Sequence, residues 1–264
     1  MIDIGRIAEQ RRHWYREEHF AGQLGNPSAR AVVEGRWRFF SAEIRHWLAT
    51  GAGTSEAGRK PLRVLDAGCG DGINLVGLTR IFEELDQPIE LTGFDYNELR
   101  IERARGLGLA CRLEVGSLDH TGLADAGFDL VLINHVLEHI PEKGAVLAEL
   151  RRIMRPGGLL IVGVPNEGCA LAKLRNHVLQ RSVLRTTDHV HFFTAPALRR
   201  DLAAAGFEVD KVEGEGFFVP HLRLATLIGR SAGTRRVLSG LNKAFPSQAA
   251  GLIAVARAAS GHAG

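Results

Sequence analysis

A glycine-dense turn between a predicted strand and a predicted helix is the clearest candidate binding site in this sequence. It reads Leu65-Asp-Ala-Gly-Cys-Gly-Asp-Gly72, and its glycines let the backbone turn sharply and approach a ligand without an intervening Cβ. Because position 73 is Ile, the third glycine of the G-x-G-x-x-G dinucleotide fingerprint is missing. Asp66 would repel a pyrophosphate and attract a cationic group. We therefore expect a ligand other than a nicotinamide dinucleotide at the carboxyl end of this strand.

Four histidines follow two later predicted strands. His135 and His139 come after the fourth strand, and His189 and His191 come after the fifth. Histidine exchanges a proton near neutral pH, so each is a candidate general base, with a hydrogen-bonded structural histidine as the alternative. His135 and His139 flank Glu138 at a spacing that would let them face one ion. The same pattern also occurs at ordinary helix starts, and we assign no metal.

Strands and helices alternate from residue 61 onward, and this alternation would position the candidate residues. The predicted strands cover 63–66, 89–94, 110–115, 128–133, 159–164, 206–212 and 252–256. Helices are expected up to about residue 85 and over 97–105, 142–154 and 198–205, with Pro156-Gly-Gly158 ending the third of them. The pattern predicts an α/β fold with a doubly wound, mainly parallel seven-stranded sheet and an antiparallel pair closing one edge.

The first 60 residues are predicted to form a helical leader. Apolar residues from Val32 to Leu48 recur at spacings of three and four, which indicates one face of an amphipathic helix. The glycine-rich stretch 51–58 would end this helix as a flexible joint. We therefore divide the chain into a helical lid segment, 1–60, and a single larger domain, 61–264.

Composition excludes several classes of protein. The 264 residues are 45% hydrophobic and 24% charged, which rules out a wholly disordered or fibrous chain. No apolar run approaches the ~18 residues of a membrane-spanning helix, and the first residues lack the pattern of a secretory signal. Cys69, Cys111 and Cys169 are too few and too scattered for a disulfide framework or a zinc site. We expect a cytoplasmic protein.

Residues 62–167 resemble the core of the class I S-adenosylmethionine-dependent methyltransferases. The matching features occur in order: the glycine turn, Asp95 after the second strand, Gly116-Ser-Leu-Asp119, Phe128-Asp-Leu-Val-Leu-Ile-Asn-His-Val-Leu-Glu-His-Ile140, and Leu150-Arg-Arg-Ile-Met-Arg-Pro-Gly-Gly-Leu159. The segment Asp188-His-Val-His-Phe-Phe-Thr194 resembles the branch with quinone-biosynthesis O-methyltransferases and small-molecule and glycan methyltransferases. The resemblance implies a Rossmann-like methyltransferase fold, S-adenosyl-L-methionine as cofactor and S-adenosyl-L-homocysteine as product.

The same resemblance implies cofactor roles for residues in these turns. It places Asp66 beside the ammonium group and Asp95 on the two ribose hydroxyls, a task that suits a two-oxygen acceptor. Ser117 stands where many relatives carry Asp, so the contact with the adenine amino group would be weaker or would come from Asp119. The other implied residues, along the methionine part or beside the adenine, are Gly68, Cys69, Gly70, Tyr96, Leu118 and Asn134.

We expect methyl transfer to oxygen, with transfer to nitrogen or carbon and a non-catalytic cofactor-binding protein as the alternatives. Alignment of nucleophile, methyl group and sulfur supplies much of the rate, but a hydroxyl acceptor must also lose its proton. In the resembling family the Leu-Glu-His segment faces the cofactor, so His139 is the first candidate base and His135 the second. Asn134 is followed by His-Val-Leu rather than by a Pro-Pro tetrapeptide, so a nucleic-acid substrate is not expected.

The segments expected to cover the acceptor carry the excess positive charge of the chain. Residues 1–167 hold 20 basic and 24 acidic side chains, residues 168–264 hold 13 and 6, and no acid follows position 220. Three interpretations stay open: a solvated helix face, a clamp for an anionic small-molecule, lipid-linked or glycan acceptor, and peripheral contact with an anionic membrane. The covering segments would be the leader and insertions near 168–190 and 217–248, with the candidate lining residues Trp14, Tyr15, His189, His191 and Phe217.

Overall fold

The computed structural model describes residues 23–25, 27–51, 60–221 and 232–259. The described helices are α1 (Pro27–Ala49), α2 (Ile73–Glu84), α3 (Glu98–Arg105), α4 (Lys143–Ile153), α5 (Ala170–Leu174), α6 (Val183–Thr186), α7 (Ala195–Ala204) and α8 (Ala232–Ala244). The strands are β1 (Leu62–Ala67), β2 (Ile89–Asp95), β3 (Cys111–Val115), β4 (Phe128–Asn134), β5 (Met154–Pro165), β6 (Phe207–Phe217) and β7 (Ala249–Ala258). Trp14 and Tyr15 lie outside the described residues.

All seven strands form one sheet in the order β3-β2-β1-β4-β5-β7-β6. The neighbours from β3 to β5 pair in parallel, and β7 runs antiparallel to both β5 and β6. The predicted α/β class, the mainly parallel sheet and the closing antiparallel pair are confirmed. Strand order reverses direction between β1 and β4, the place where open α/β sheets bind ligands.

Helices cover both faces of the sheet. Every residue of β4 except the last is buried, as expected for a strand that is covered on two sides. One core contains side chains of α4 and α7, and the other contains side chains of α1, α2 and α3. Trp37, Phe40, Ile44 and Trp47 on one face of α1 are buried in the second core, which confirms the apolar stripe. The lid role of residues 1–60 stays a prediction.

Four predicted boundaries are wrong by three residues or more. β6 ends at Phe217 rather than 212, and β7 begins at Ala249 rather than 252. The other two have a local reason. β5 begins at Met154 rather than 159, because the backbone becomes extended directly after α4. The pairing of β5 with β4 then has a register shift and continues from Leu159. α7 begins at Ala195 rather than 198, because the Thr194 side chain accepts a hydrogen bond from the Ala197 amide at 3.4 Å and caps the first turn. Among the described residues, no helix has the length and apolar character needed to cross a membrane.

Candidate functional site

A cavity of about 580 Å³ opens where β1 and β4 end. Its wall is made by α1, by the turns after β1 and β4, and by the segment before α7. Seven residues predicted from the sequence line it: Gly68, Cys69, Gly70, Asn134, His135, His139 and His189. The lining residues that sequence reasoning did not place in the cofactor or acceptor site include Val32, Arg36, Asp71, Arg100, Glu138 and Asp188. Predicted residues from three separate parts of the chain therefore converge on one cavity.

The glycine turn after β1 adopts a backbone conformation that few other residues accept. Gly68, Gly70 and Gly72 have φ angles of 80°, 53° and 93°, in the left-handed region that glycine enters without strain. A Cβ on Gly68 would lie 2.3 Å from Cγ2 of Val136, so the turn after β4 closes directly against this glycine. The absence of a Cβ therefore lets the Val136 side chain pack against Gly68, while Gly68, Cys69 and Gly70 line the cavity.

Asp95, the last residue of β2, ties the glycine turn to the start of α3. Its Oδ2 accepts a hydrogen bond from the Gly70 amide at 2.9 Å, and its Oδ1 accepts one from the Asn97 amide at 2.8 Å. Burial raises the pKa of Asp95, and these two hydrogen bonds oppose the rise. A carboxylate offers about four acceptor positions, so both oxygens can also accept from ligand hydroxyls. This geometry fits the ribose role implied by the resemblance.

Asp66 lies two residues before Gly68 and is fully buried. Neither of its carboxylate oxygens has a hydrogen-bond partner within the described part of the chain. Burial first, and the charge of Asp95 second, raise the pKa of Asp66 to about 8. An unpaired buried carboxylate is costly, and a cationic group at this edge would offset that cost. The residue thus fits the ammonium group of the cofactor.

Two residues at the end of β4 complete this side of the cavity. Oδ1 of Asn134 is buried without a hydrogen-bond partner in the described structure, and it lies 2.0 Å from where a Cβ on Gly163 would be. His135 has a φ of 57°, which is uncommon outside glycine, while its amide donates to the Gly163 carbonyl at 2.8 Å. Such local backbone strain is concentrated at functional sites.

Buried Glu138 is the centre of a group of histidines beyond β4. Its Oε1 lies 3.1 Å from Nδ1 of His135 and 3.9 Å from Nε2 of His139. Nδ1 of His139 lies 3.0 Å from Oδ2 of Asp188. Burial opposes ionisation of Asp188, but the hydrogen bond and charge of His139 outweigh burial and lower the pKa of Asp188 to about 2. His139 is therefore oriented by an ionised carboxylate.

His189 extends the same group toward β5. Its ring meets that of His139 edge to face, with 4.8 Å between centroids, and its Nδ1 lies 2.6 Å from Oε2 of Glu167. Glu167 also accepts a hydrogen bond from buried Arg175 at 2.7 Å. Burial disfavours the charged form of His189, but the Glu167 contact outweighs it and raises the pKa of His189. Glu167, which the sequence analysis did not identify, thus holds His189 in place.

Three side chains of this group could share one metal ion. Glu138, His139 and His189 each offer a ligand atom, and the three atoms lie within 4.8 Å of one another. Both histidines contact a carboxylate through Nδ1, the arrangement that orients histidine ligands around metals. From the sequence alone, His135 groups with Glu138 and His139, and no metal is assigned. The structure puts His189, from the other side of the cavity, in the place of His135.

Several predicted residues lie outside the wall of this cavity. Nε2 of His191 lies 3.0 Å from the Ile140 carbonyl and 3.1 Å from the Pro141 carbonyl, so this histidine holds the chain beyond β5 against the turn after β4. Leu118 is buried in one core, and Ser117 forms an isolated bridge with His120. The cavity wall also does not include Asp66, Asp95, Tyr96 or Phe217. The roles of these residues toward a cofactor or acceptor stay predictions.

Comparisons with known proteins agree with this geometry. A family model described as "Methyltransferase domain" matches residues 36–212. A probable S-adenosylmethionine-dependent methyltransferase of Mycolicibacterium smegmatis is 29% identical over 57% of this chain and 54% of its own length. A ubiquinone biosynthesis O-methyltransferase of Azorhizobium caulinodans is 32% identical over 60% of this chain and 63% of its own length. The chain thus spans somewhat more than half the length of these relatives.

A solved structure shows the same fold. The S-adenosylmethionine-dependent methyltransferase of Mesorhizobium loti superposes with a TM-score of 0.54 at 20% identity, covering 80% of this chain and 96% of the other. The family match spans more than half of the chain and includes the glycine turn, Asp95 and the histidine group. On the family match, the sheet order and this cavity together, the chain belongs to the S-adenosylmethionine-dependent methyltransferases and has their class I fold.

Proposed function

We propose that this protein transfers the methyl group of S-adenosylmethionine to a hydroxyl oxygen of a small-molecule, lipid-linked or glycan acceptor. The observation that carries the choice of oxygen is the contact between His139 and Asp188 in the cavity wall. A hydroxyl is a weak nucleophile until its proton is removed, whereas a neutral amine already presents its lone pair. A histidine held by an ionised carboxylate would remove the proton from such a hydroxyl.

The glycine turn and the ends of β1, β2 and β4 would hold the cofactor. Gly68 and Gly70 would lie along its methionine part, Asp66 beside its ammonium group, and Asp95 on its ribose hydroxyls. When bound, the cofactor supplies a methyl group on a sulfonium that is already strongly activated. The work of the protein is then to align the acceptor with that methyl group.

His139 would remove the acceptor proton as the oxygen attacks. Its Nδ1 side faces Asp188 at 3.0 Å, so the proton would arrive at Nε2, and ionised Asp188 would stabilise the resulting imidazolium. Glu138, 3.9 Å from Nε2, would add to this stabilisation. His135 is the second candidate base, because it lines the cavity and also contacts Glu138.

Substitution of the histidine tests this proposal. Cofactor turnover would be followed with labelled S-adenosylmethionine and a library of phenols, catechols, sugars and amines. His139→Gln should lower kcat about 10²–10⁴-fold, and Asp188→Asn should lower it less, while both keep their affinity for S-adenosylhomocysteine. Glu90→Gln, at an exposed position near the start of β2 and so at the end of the sheet opposite the cavity, is the matched control and should retain full activity.

The alternatives give different results in the same assay. Methylation of amines alone, with little effect of His139→Gln, would favour the nitrogen methyltransferase. Cofactor binding without turnover on any acceptor would favour a non-catalytic protein. Loss of activity on chelation, restored by a divalent ion, would assign Glu138, His139 and His189 to a metal rather than to a base.

A further inference from the structure

A second cavity adjoins the first one, which opens where β1 and β4 end, at the same edge of the sheet. It has a volume of about 510 Å³ and lies between α1 and the facing ends of β6 and β7. Val32, Arg36 and His135 line both cavities. A molecule in the second cavity would therefore reach His135, and through it the histidine group where the methyl group is transferred.

The boundary between the two cavities holds an ion pair. Nε of Arg36 on α1 donates to both carboxylate oxygens of Glu215 on β6, each at 2.7 Å. Both side chains are about four-fifths shielded from solvent, with exposures of 19% and 23%. The pair carries no net charge, so it attracts a second anion less strongly than an unpaired guanidinium would. The second cavity is thus not built to attract a negative charge.

The rest of the wall is small or apolar. Glycines and alanines occupy half of the lining positions, and Val32, Phe39 and Ile253 supply the larger apolar surface. A Cβ on Gly214 would lie 2.6 Å from the Cβ of Ala249, so β7 packs closely behind this part of β6. A wall of this composition favours an uncharged apolar group, since apolar surface is then removed from water at about 25 cal/mol per Å².

We infer that the second cavity binds the uncharged apolar body of the acceptor while its hydroxyl lies at the histidine group. The inference rests on the proposed function for the position of the hydroxyl. The acceptor would then be a neutral molecule whose apolar body fits a pocket of this volume. This class differs from the anionic acceptor that the excess positive charge of the covering segments would favour. The pair Arg36–Glu215 is the element that sets this preference.

Gly35 offers a direct way to fill the cavity. It lies within α1 and lines the cavity, and a Cβ there would meet nothing nearer than Nη2 of Arg38 at 3.8 Å. Leucine favours helix more than glycine does, so Gly35→Leu should fold. Binding of 4-butylphenol would be measured by calorimetry on the full chain saturated with S-adenosylhomocysteine. Gly35→Leu should weaken that binding at least tenfold, whereas Gly144→Leu, at an exposed position on α4, should not change it.

Glu215→Gln tests the charge argument. Wild-type protein should prefer 4-butylphenol to 4-(4-hydroxyphenyl)butanoate, and Glu215→Gln should shift this preference at least tenfold toward the carboxylate, because Arg36 loses its charged partner. Binding unchanged by Gly35→Leu, or a wild-type preference for the carboxylate, would overturn the inference. Since binding is measured without turnover, a protein that follows this pattern but methylates nothing would contradict only the proposed function.

Discussion

Asp66 lowers the stability of the ligand-free protein but is expected to strengthen binding of the cofactor. Its carboxyl group is fully buried and has no hydrogen-bond partner among the described residues, and its pKa is raised to about 8. The folded protein therefore holds a proton that the unfolded chain releases near pH 4. Stability falls as the pH rises between these two values, because the native state binds more protons than the unfolded state.

Asp66→Asn should separate the two effects. Removal of the titrating group should raise the free energy of unfolding of the ligand-free protein at pH 8, by on the order of 5 kcal/mol at most, and flatten its fall between pH 4 and 8. The same change should weaken S-adenosylhomocysteine binding, because the ammonium group loses a carboxylate. Urea denaturation across this pH range and calorimetry measure the two quantities. A variant that binds the cofactor as well as wild type would refute the ammonium role.

At the scale of elements, the contact between α1 and α2 decides how closely the leader helix approaches the sheet. A Cβ on Gly77 of α2 would lie 2.3 Å from Nε1 of Trp37 on α1. The guanidinium of Arg80 lies over the other part of the same ring, 5.5 Å from its centroid. α1 can therefore bring Val32 and Arg36 to the cavities only because residue 77 has no side chain.

Gly77→Ala should therefore destabilise the protein, although alanine favours helix more than glycine does. We expect a net loss of about 1–3 kcal/mol from overpacking against the Trp37 ring, which thermal denaturation would show as a lower Tm. Gly144→Ala is the matched control on α4, because a Cβ there meets nothing within 4 Å. It should leave Tm unchanged or raise it slightly. Equal effects of the two changes would contradict the packing argument.

The sequence was sufficient to predict the seven strands, five of the helices α1 to α8 and the position of the glycine turn, because these depend on local patterns. It did not predict α5, α6 and α8. Strand and helix periodicity identified all seven strands. The order of the motifs predicted that Asp66, Gly68 and Asp95 lie at one edge of the sheet. The start of α7 was readable from Thr194 and Pro196, yet it was missed because the apolar pattern begins only at Leu198.

What escaped prediction depends on contacts between distant parts of the chain. The pairs His139–Asp188 and His189–Glu167 join residues that are 49 and 22 positions apart, and Arg36–Glu215 joins residues 179 positions apart. No spacing in the sequence indicates such partners, because they are set by the packing of α1, β5 and β6. For the same reason, the sequence grouped His135 rather than His189 with Glu138 and His139 as side chains that could face one ion.

At the scale of the whole molecule, part of the positive charge after residue 167 is matched within the fold. Arg175 pairs with Glu167, Lys211 with Glu43, and Arg257 with Asp210. α8 differs, because Arg236 and Lys243 are exposed, as are Val237 at 62% and Phe245 just beyond the helix at 55%. Exposed basic and apolar side chains on one helix are typical of a surface that touches anionic lipid.

We therefore predict peripheral binding to anionic membranes through α8. The protein should sediment with vesicles that contain phosphatidylglycerol and not with vesicles of phosphatidylcholine alone, and about 0.5 M salt should weaken the binding. The double change Arg236→Glu and Lys243→Glu should reduce sedimentation severalfold, whereas Arg45→Glu on α1 should not. If the protein is absent from the pellet of anionic vesicles, the basic side chains of α8 belong to an ordinary solvated helix face.

The assignment of the cavity to S-adenosylmethionine depends on one carboxylate more than on any other group. Asp95 contacts both the glycine turn and the start of α3, and it is the residue that would hold the ribose. Its replacement by alanine removes the ribose acceptor and also frees two amides, so the fold of the variant must be checked by thermal denaturation. Glu90→Ala, at the exposed opposite end of β2, is the matched control.

Calorimetric titration with S-adenosylhomocysteine is the most direct test. We predict that wild-type protein and Glu90→Ala bind one equivalent with the same affinity, and that folded Asp95→Ala binds at least 100-fold more weakly. Failure of the wild-type protein to bind, or binding by folded Asp95→Ala that equals that of wild type, would contradict the account.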